Sequence, residues 1–174
     1  MRRRINNMRR RTIKEFYRDA SNPEVRVSPE DYKIYLVRPD DTVALYIGQS
    51  GNPASRMLDH LGIGTWGESS LSLLGQCIHA HLPASGEWYF EEYTLEDCRE
   101  ITTAYRKDLD IYRQLPHLLD NPFWPDQTEE AMIKHYRPCL NVACNPDPLP
   151  LPAHLEWRKP NDTLGSKLES LYGI

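Results

Sequence analysis

Apolar and polar positions alternate in "YKIYLVRP" and again in "VALYIG", two short runs rich in β-branched and aromatic residues. A period of two predicts strands, one around residues 33–37 and a second over 43–48. The polar "PDDT" between them reads as a turn, so the pair predicts an antiparallel hairpin that carries Tyr35 and Tyr46 into one small sheet. In "GNPASRMLDHLG" the period lengthens to that of a helix. Asn52 can cap its first amides, Pro53 suits the first helical position and Gly62 can end it. Met57, Leu58 and Leu61 supply a buried side, whereas Arg56 and His60, at i and i+4, are neighbours on another face.

The remaining chain carries further elements. "TIKEFYRDA" predicts a short helix that stops before the Asn-Pro of "SNPEV". "GIGTWGESS" is a loop, "LSLLGQCIHAHL" admits a helix or a strand, and "GEWYFEEYT" reads as a further strand. Residues 95–119 read as helical, and "DNPFWPDQ" breaks them. Thr128 then caps a helix over "EEAMIKHY", which Pro138 ends. From Asn145 the chain is proline-rich, which predicts an extended strap before a last short helix near 166–171. There is no internal repeat.

With 174 residues, 40% of them hydrophobic, and four Trp, the chain is expected to form one domain around one core. No apolar run approaches the roughly 20 residues that span a bilayer. The basic N-terminus is not followed by an apolar segment, so the expectation is a cytoplasmic, intracellular protein with no membrane partner. Charge changes the picture more. Arg2, Arg3, Arg4, Arg9, Arg10, Arg11 and Lys14 fall in the first 14 residues with no acidic residue among them; the net charge of −4 less those seven leaves −11 for the rest. Residues 1–30 thus read as a basic arm with a short helix, either seeking a polyanion or acting as a solubilising tail. Cys77, Cys98, Cys139 and Cys144 form no C-x-x-C pair, which points to ordinary thiols. Cys77, His79 and His81 would share one side if their segment were a strand, and a zinc site would then need Cys139 or Cys144 nearby.

Three segments make sense together: "KIY" and "YIG" in the hairpin, Arg56 and His60 on the helix after it, and "EEAMIKHYRPCLN" from Glu129 to Asn141. Their order and spacing, YIGxSxNxxxR with a histidine four residues on and a distant E-x3-I-K-x3-P-x2-N, resemble the GIY-YIG nuclease superfamily. The match covers residues 33–62 and 128–141, with 88–94 as a third strand. The resemblance implies an α+β fold with a small antiparallel three-stranded sheet flanked by helices. It places a nuclease domain at 31–144 with a helical insertion at about 63–125, and N- and C-terminal extensions, the latter at 145–174. It implies cleavage of phosphodiester bonds in DNA with Mg²⁺, for which Mn²⁺ can substitute, and a site made of Tyr35, Tyr46, Arg56, His60, Glu129 and Asn141.

The chemistry of those residues agrees. A single carboxylate can hold one hard cation whose shell is completed by water and phosphate oxygens. Glu129 is the expected ligand and Glu130 its competitor, one residue turning the helix by about 100°. Arg56 can bind a phosphate by charge-assisted hydrogen bonds, or else pair with Asp59 on the surface. His60, or a tyrosine beside a metal, can take the proton of the nucleophile, and the sequence leaves that choice open. Asn141 is expected to hydrogen-bond backbone near the site.

The chain departs from the family pattern in two places. Lys33 stands where the first motif has glycine, and it joins Arg2, Arg3, Arg4, Arg9, Arg10 and Arg11 as an expected DNA contact. The 69 positions from His60 to Glu129 are about twice what a minimal domain needs. A chain of this size with no separate DNA-binding domain resembles a restriction-type endonuclease, which would act as a homodimer to cut both strands. The alternatives are a nuclease guided by a partner in a defence or mobile-element system, or a nucleic-acid-binding or assembly subunit with a degenerate nuclease fold.

Overall fold

The computed structural model describes residues 8–22, 31–63, 72–120 and 124–157. The hairpin forms as the alternation predicts. Strand β2 (Tyr32–Arg38) pairs antiparallel with β3 (Tyr46–Gln49), with Tyr35 opposite Gly48 and Val37 opposite Tyr46. Two further strands complete the sheet: β1 (Arg9–Thr12) and β4 (Tyr89–Thr94). The order is β1-β4-β2-β3, antiparallel throughout. The fold is therefore α+β as expected, but with four strands rather than three. The extra strand is built from arginines of the supposed arm.

Cross-strand partners share a face, so the register sorts the core. Tyr35 and Val37 lie with Phe90 and Glu92 on one side. That side is covered by α1 (Ile13–Ala20), α2 (Pro53–His60) and α3 (Leu73–Ala80), through Ile13, Phe16, Met57, Leu61, Leu74 and Ile78. Ile34 and Leu36 lie with Tyr93 on the other side, against Met132 and Ile133 of α6 (Pro125–Tyr136) and Ile101 of α4 (Arg99–Asp108). The sheet is thus the middle of three layers.

Local signals explain the helices. Thr12 and Glu15 close a capping box on α1. Asn52 accepts from the Ser55 amide, Pro53 opens α2, and Gly62 follows it at φ 76°. The ambiguous segment is helical, which turns His79 to the opposite side from Cys77 and His81 and so removes the shared face of the zinc idea. Among the described residues no group of three such ligands is placed to hold a metal. Residues 95–119 are not one helix: a turn precedes α4, and α5 (Asp110–Gln114) and a 3-10 turn follow it. α6 starts at Pro125, earlier than the expected Thr128 cap, and the Thr128 hydroxyl bonds back to the Trp124 carbonyl. The strap runs from Asn145 to a 3-10 turn that buries Leu155 in the first core cluster. The expected helix near 166–171 lies outside the described residues.

β4 carries two adjacent glutamates facing opposite sides, and β1 supplies arginines to both. Glu92, fully buried, accepts from Arg11 at 2.7 Å, and Arg11 reaches Asp19 at 3.3 Å. Arg9 lies 3.9 Å from the same Glu92. On the other face Glu91 accepts the Tyr93 hydroxyl at 2.6 Å and sits 3.5 Å from Arg38 and from Arg10. The expectation of a free arm is corrected accordingly: Arg9, Arg10 and Arg11 are sheet residues engaged with carboxylates. Arg2, Arg3 and Arg4 lie outside the described residues. Removing Arg11 leaves a buried carboxylate with a weaker partner, so Arg11→Ala is expected to cost about 3 kcal/mol in chemical denaturation, and adding Glu92→Gln to recover part of it. A loss below about 0.5 kcal/mol, the scale of a surface pair, would contradict this account of β1.

Candidate functional site

The glycine of "YIG" fits a specific steric demand. A Cβ on Gly48 would overlap the Tyr35 ring and hydroxyl, which lie directly over it across the strand pair. With glycine there, Tyr35 Oη comes 2.8 Å from His60 Nε2 on α2. His60 Nδ1 lies 2.6 Å from the hydroxyl of Ser72, which also accepts the Gly75 amide and so caps α3. Tyr46 closes the group, its ring centroid 6.1 Å from that of Tyr35 and 5.2 Å from that of His60. Tyr35 is 1% exposed and His60 2%, whereas Tyr46 is only partly buried and Arg56 is exposed. The site has an inner pair and an outer pair.

Burial sets the electrostatics. It holds the His60 pKa down at about 4, with the nearby Arg56 charge adding to the effect, so the imidazole is neutral at pH 7. Burial also raises the Tyr35 phenol well above its usual value, with Tyr46 adding and a hydrogen bond from Arg56 opposing. Tyr46 is raised by burial and by the Glu129 carboxylate, and Arg56 opposes again. Arg56 thus acts on all three rings, while its Nη1 is 3.7 Å from Asp59. Of the two sequence readings of this arginine, the surface pairing with Asp59 is present.

α6 separates the two glutamates. Glu130 faces Lys134, 2.8 Å away, and Tyr105 of α4, and these bonds lower its pKa. That side of α6 borders a groove of about 370 Å³ lined in part by Tyr105, Lys134 and His135. Glu129 faces β3. Burial raises its pKa, opposed by a hydrogen bond from the Gln49 backbone, with Asp126 raising it further. Among the described residues Glu129 enters no ion pair, and no group of three or more His, Cys, Asp or Glu is placed to hold a metal. Its donor set is one partly desolvated carboxylate. That fits a hard divalent cation that keeps most of its water or takes phosphate oxygens, and it does not fit zinc.

Asn141 behaves as its expected role requires. Its Oδ1 accepts the Ile47 amide at 2.9 Å and its Nδ2 donates to the Ile47 carbonyl at 2.8 Å. The Cys139 and Leu140 amides bond the Ala44 and Leu45 carbonyls just before, so residues 139–141 cover the outer edge of the sheet. Asn145 supports that turn through the Pro138 and Asn141 carbonyls. Lys33 is partly buried where the β2–β4 register shifts, and its carbonyl accepts the Ser50 amide. Two residues escaped the sequence reading. The Gln49 amide carries no side-chain signal. Ser72 did carry one, since a serine directly before an apolar run is a cap signature.

No protein-family model, curated protein or solved structure matches this chain.

Two outcomes follow from this geometry. Gly48→Ala is expected to displace the Tyr35 ring, break its bond to His60 and lower stability by about 1–3 kcal/mol; an unperturbed fold would contradict the steric reading. Below its unfolded pKa near 6.5 the unfolded His60 binds a proton, whereas the folded one does so only near 4. Stability is therefore full above pH 6.5 and falls on acidification, by up to about 2 kcal/mol at pH 5 from this group. His79, also lowered by burial, adds to the slope. A His60 imidazole that titrates near 6.5 by NMR would refute the account.

Proposed function

We propose that the chain is a divalent-metal-dependent DNA endonuclease of GIY-YIG type, a sequence-specific restriction-type enzyme that works as a homodimer. The observation that carries this reading is Glu129. It is a partly buried carboxylate, in no ion pair among the described residues, coupled to both site tyrosines while its neighbour Glu130 is engaged elsewhere.

Each residue has a task under this reading. Arg56, exposed and purely a donor, binds the phosphate and offsets the charge that grows on it. Tyr46, the outer phenol, orients the attacking water. Tyr35 and neutral His60 stand behind it as the pair that can receive a proton. Asn141 keeps β3 in place beside Glu129. Glu129 would hold the Mg²⁺ ion, which when bound would polarise a phosphoryl oxygen. One such site cuts one strand, so cutting both in one encounter calls for two copies.

The test is incubation of supercoiled and linear plasmid with Mg²⁺, with EDTA and with Glu129→Gln. Discrete fragments in Mg²⁺ alone, lost with EDTA and lowered at least about 100-fold by Glu129→Gln, are expected. Cleavage that survives both treatments would overturn the reading. Arg56→Ala is expected to lower cleavage by a similar factor without unfolding the protein, and an unchanged rate would remove it from phosphate binding.

A further inference from the structure

Helix α3 lies outside the segments that carry the resemblance, yet its cap reaches the site. A neutral imidazole has one N–H and one lone pair, and which nitrogen carries the proton is set by the partner of the other. His60 has two close partners, Ser72 Oγ at 2.6 Å from Nδ1 and Tyr35 Oη at 2.8 Å from Nε2. We propose that Ser72 is a positioning residue that holds the proton of His60 on Nδ1, so that Nε2 faces Tyr35 as an acceptor.

Tyr35 fixes one end of this chain. Its hydroxyl is buried and keeps its proton, so that proton needs an internal acceptor. Nε2, at 2.8 Å, is the acceptor that the geometry sets against it, with the Tyr46 hydroxyl as the competing partner. Ser72 stands at the other end, where its hydroxyl can accept from Nδ1–H or donate to a bare Nδ1. The acceptor role of Nε2 toward Tyr35 selects the first. The Ser72 oxygen accepts the Gly75 amide at 3.0 Å and is held in that orientation by the start of α3. A lone pair remains for Nδ1–H at 2.6 Å. The relay then reads Tyr35 O–H to His60 Nε2, and His60 Nδ1–H to Ser72 Oγ. A proton arriving at Tyr35 can pass to Nε2 as Tyr35 gives up its own, forming an imidazolium whose Nδ1–H is already bonded. No other co-reactant is required.

The tautomer stands on hydrogen bonding alone, whereas its catalytic consequence rests on the nuclease reading, and two readouts separate them. The first is the ¹⁵N spectrum of the His60 ring in wild type, Ser72→Gly and Ser72→Thr. Glycine removes the hydroxyl at little cost to a helix cap, and threonine keeps both hydroxyl and cap. A protonated Nδ1 and bare Nε2 in wild type, a mixed or reversed pattern in Ser72→Gly and the wild-type pattern in Ser72→Thr are expected. A protonated Nε2 in wild type, with Tyr35 donating to Tyr46 instead, would overturn the proposal, as would a Ser72→Gly spectrum that does not change. The second readout is plasmid cleavage, where Ser72→Gly is expected to lower kcat at least about tenfold at unchanged KM, with Ser72→Thr restoring it. Unchanged kcat in Ser72→Gly would overturn the positioning role. Should wild type cleave no DNA, the nuclease reading fails and the spectrum still decides the tautomer.

Discussion

Asn141 holds the outer strand of the sheet with two hydrogen bonds to one residue, Ile47, and much of the site depends on that grip. An edge strand presents unsatisfied amides and carbonyls, and four residues of β3 do not by themselves make a rigid platform. Residues 139–141 take up the Ala44, Leu45 and Ile47 groups in succession. Because these residues directly continue α6, the same bonds fix that helix against β3. Glu129 is therefore set beside Gln49 and Tyr46 by a clamp ten residues further along the chain. The left-handed Arg137, at φ 50°, makes the sharp exit from α6 that allows it.

The site is layered as a consequence. Tyr35 and His60 form a buried pair that continues to the partly buried Ser72, and Tyr46, Arg56 and Glu129 lie above it. The inner line needs Gly48, because only a residue without a side chain leaves room for the Tyr35 ring. The outer groups carry opposite charges that pull the Tyr46 phenol in opposite directions, Glu129 upward and Arg56 downward. A cation beside Glu129 or a phosphate beside Arg56 would shift that balance, so the phenol responds to whatever occupies the site. At the opposite edge of the sheet from β3, the arginines of β1 engage Glu91 on one face and Glu92 on the other and so tie that edge strand to β4.

Much of this was legible from local signals. The alternation of β2 and the Asn-Pro cap of α2 are each encoded within a few residues, and each formed where expected. The companionship of Tyr35 and Tyr46 in one sheet also followed from the alternation, whereas their meeting with His60 was what the resemblance implied. What the sequence concealed was non-local. Arg9, Arg10 and Arg11 look like a solvated basic run because charge reports nothing about partners eighty residues away, and only β4 reveals them as a strand. The start of α6 was misplaced because Thr128 resembles a cap but bonds backward inside the helix, whereas Pro125 is the true first residue. Which way Glu129 and Glu130 face was also hidden, because it is set by rotation about α6, which depends on the Glu130–Lys134 and Tyr105 contacts. No membrane-spanning helix occurs among the described residues, and their helices instead cover the two faces of the sheet.

The central claim is that the outer edge of β3 gathers a cation at Glu129. Paramagnetic broadening of backbone amide signals by Mn²⁺, titrated into wild type and Glu129→Gln, tests it directly. The account predicts broadening centred on residues 46–49 and 126–133 that disappears in the variant. Broadening centred on the groove beside Tyr105 and Lys134, or equal in both proteins, would contradict it.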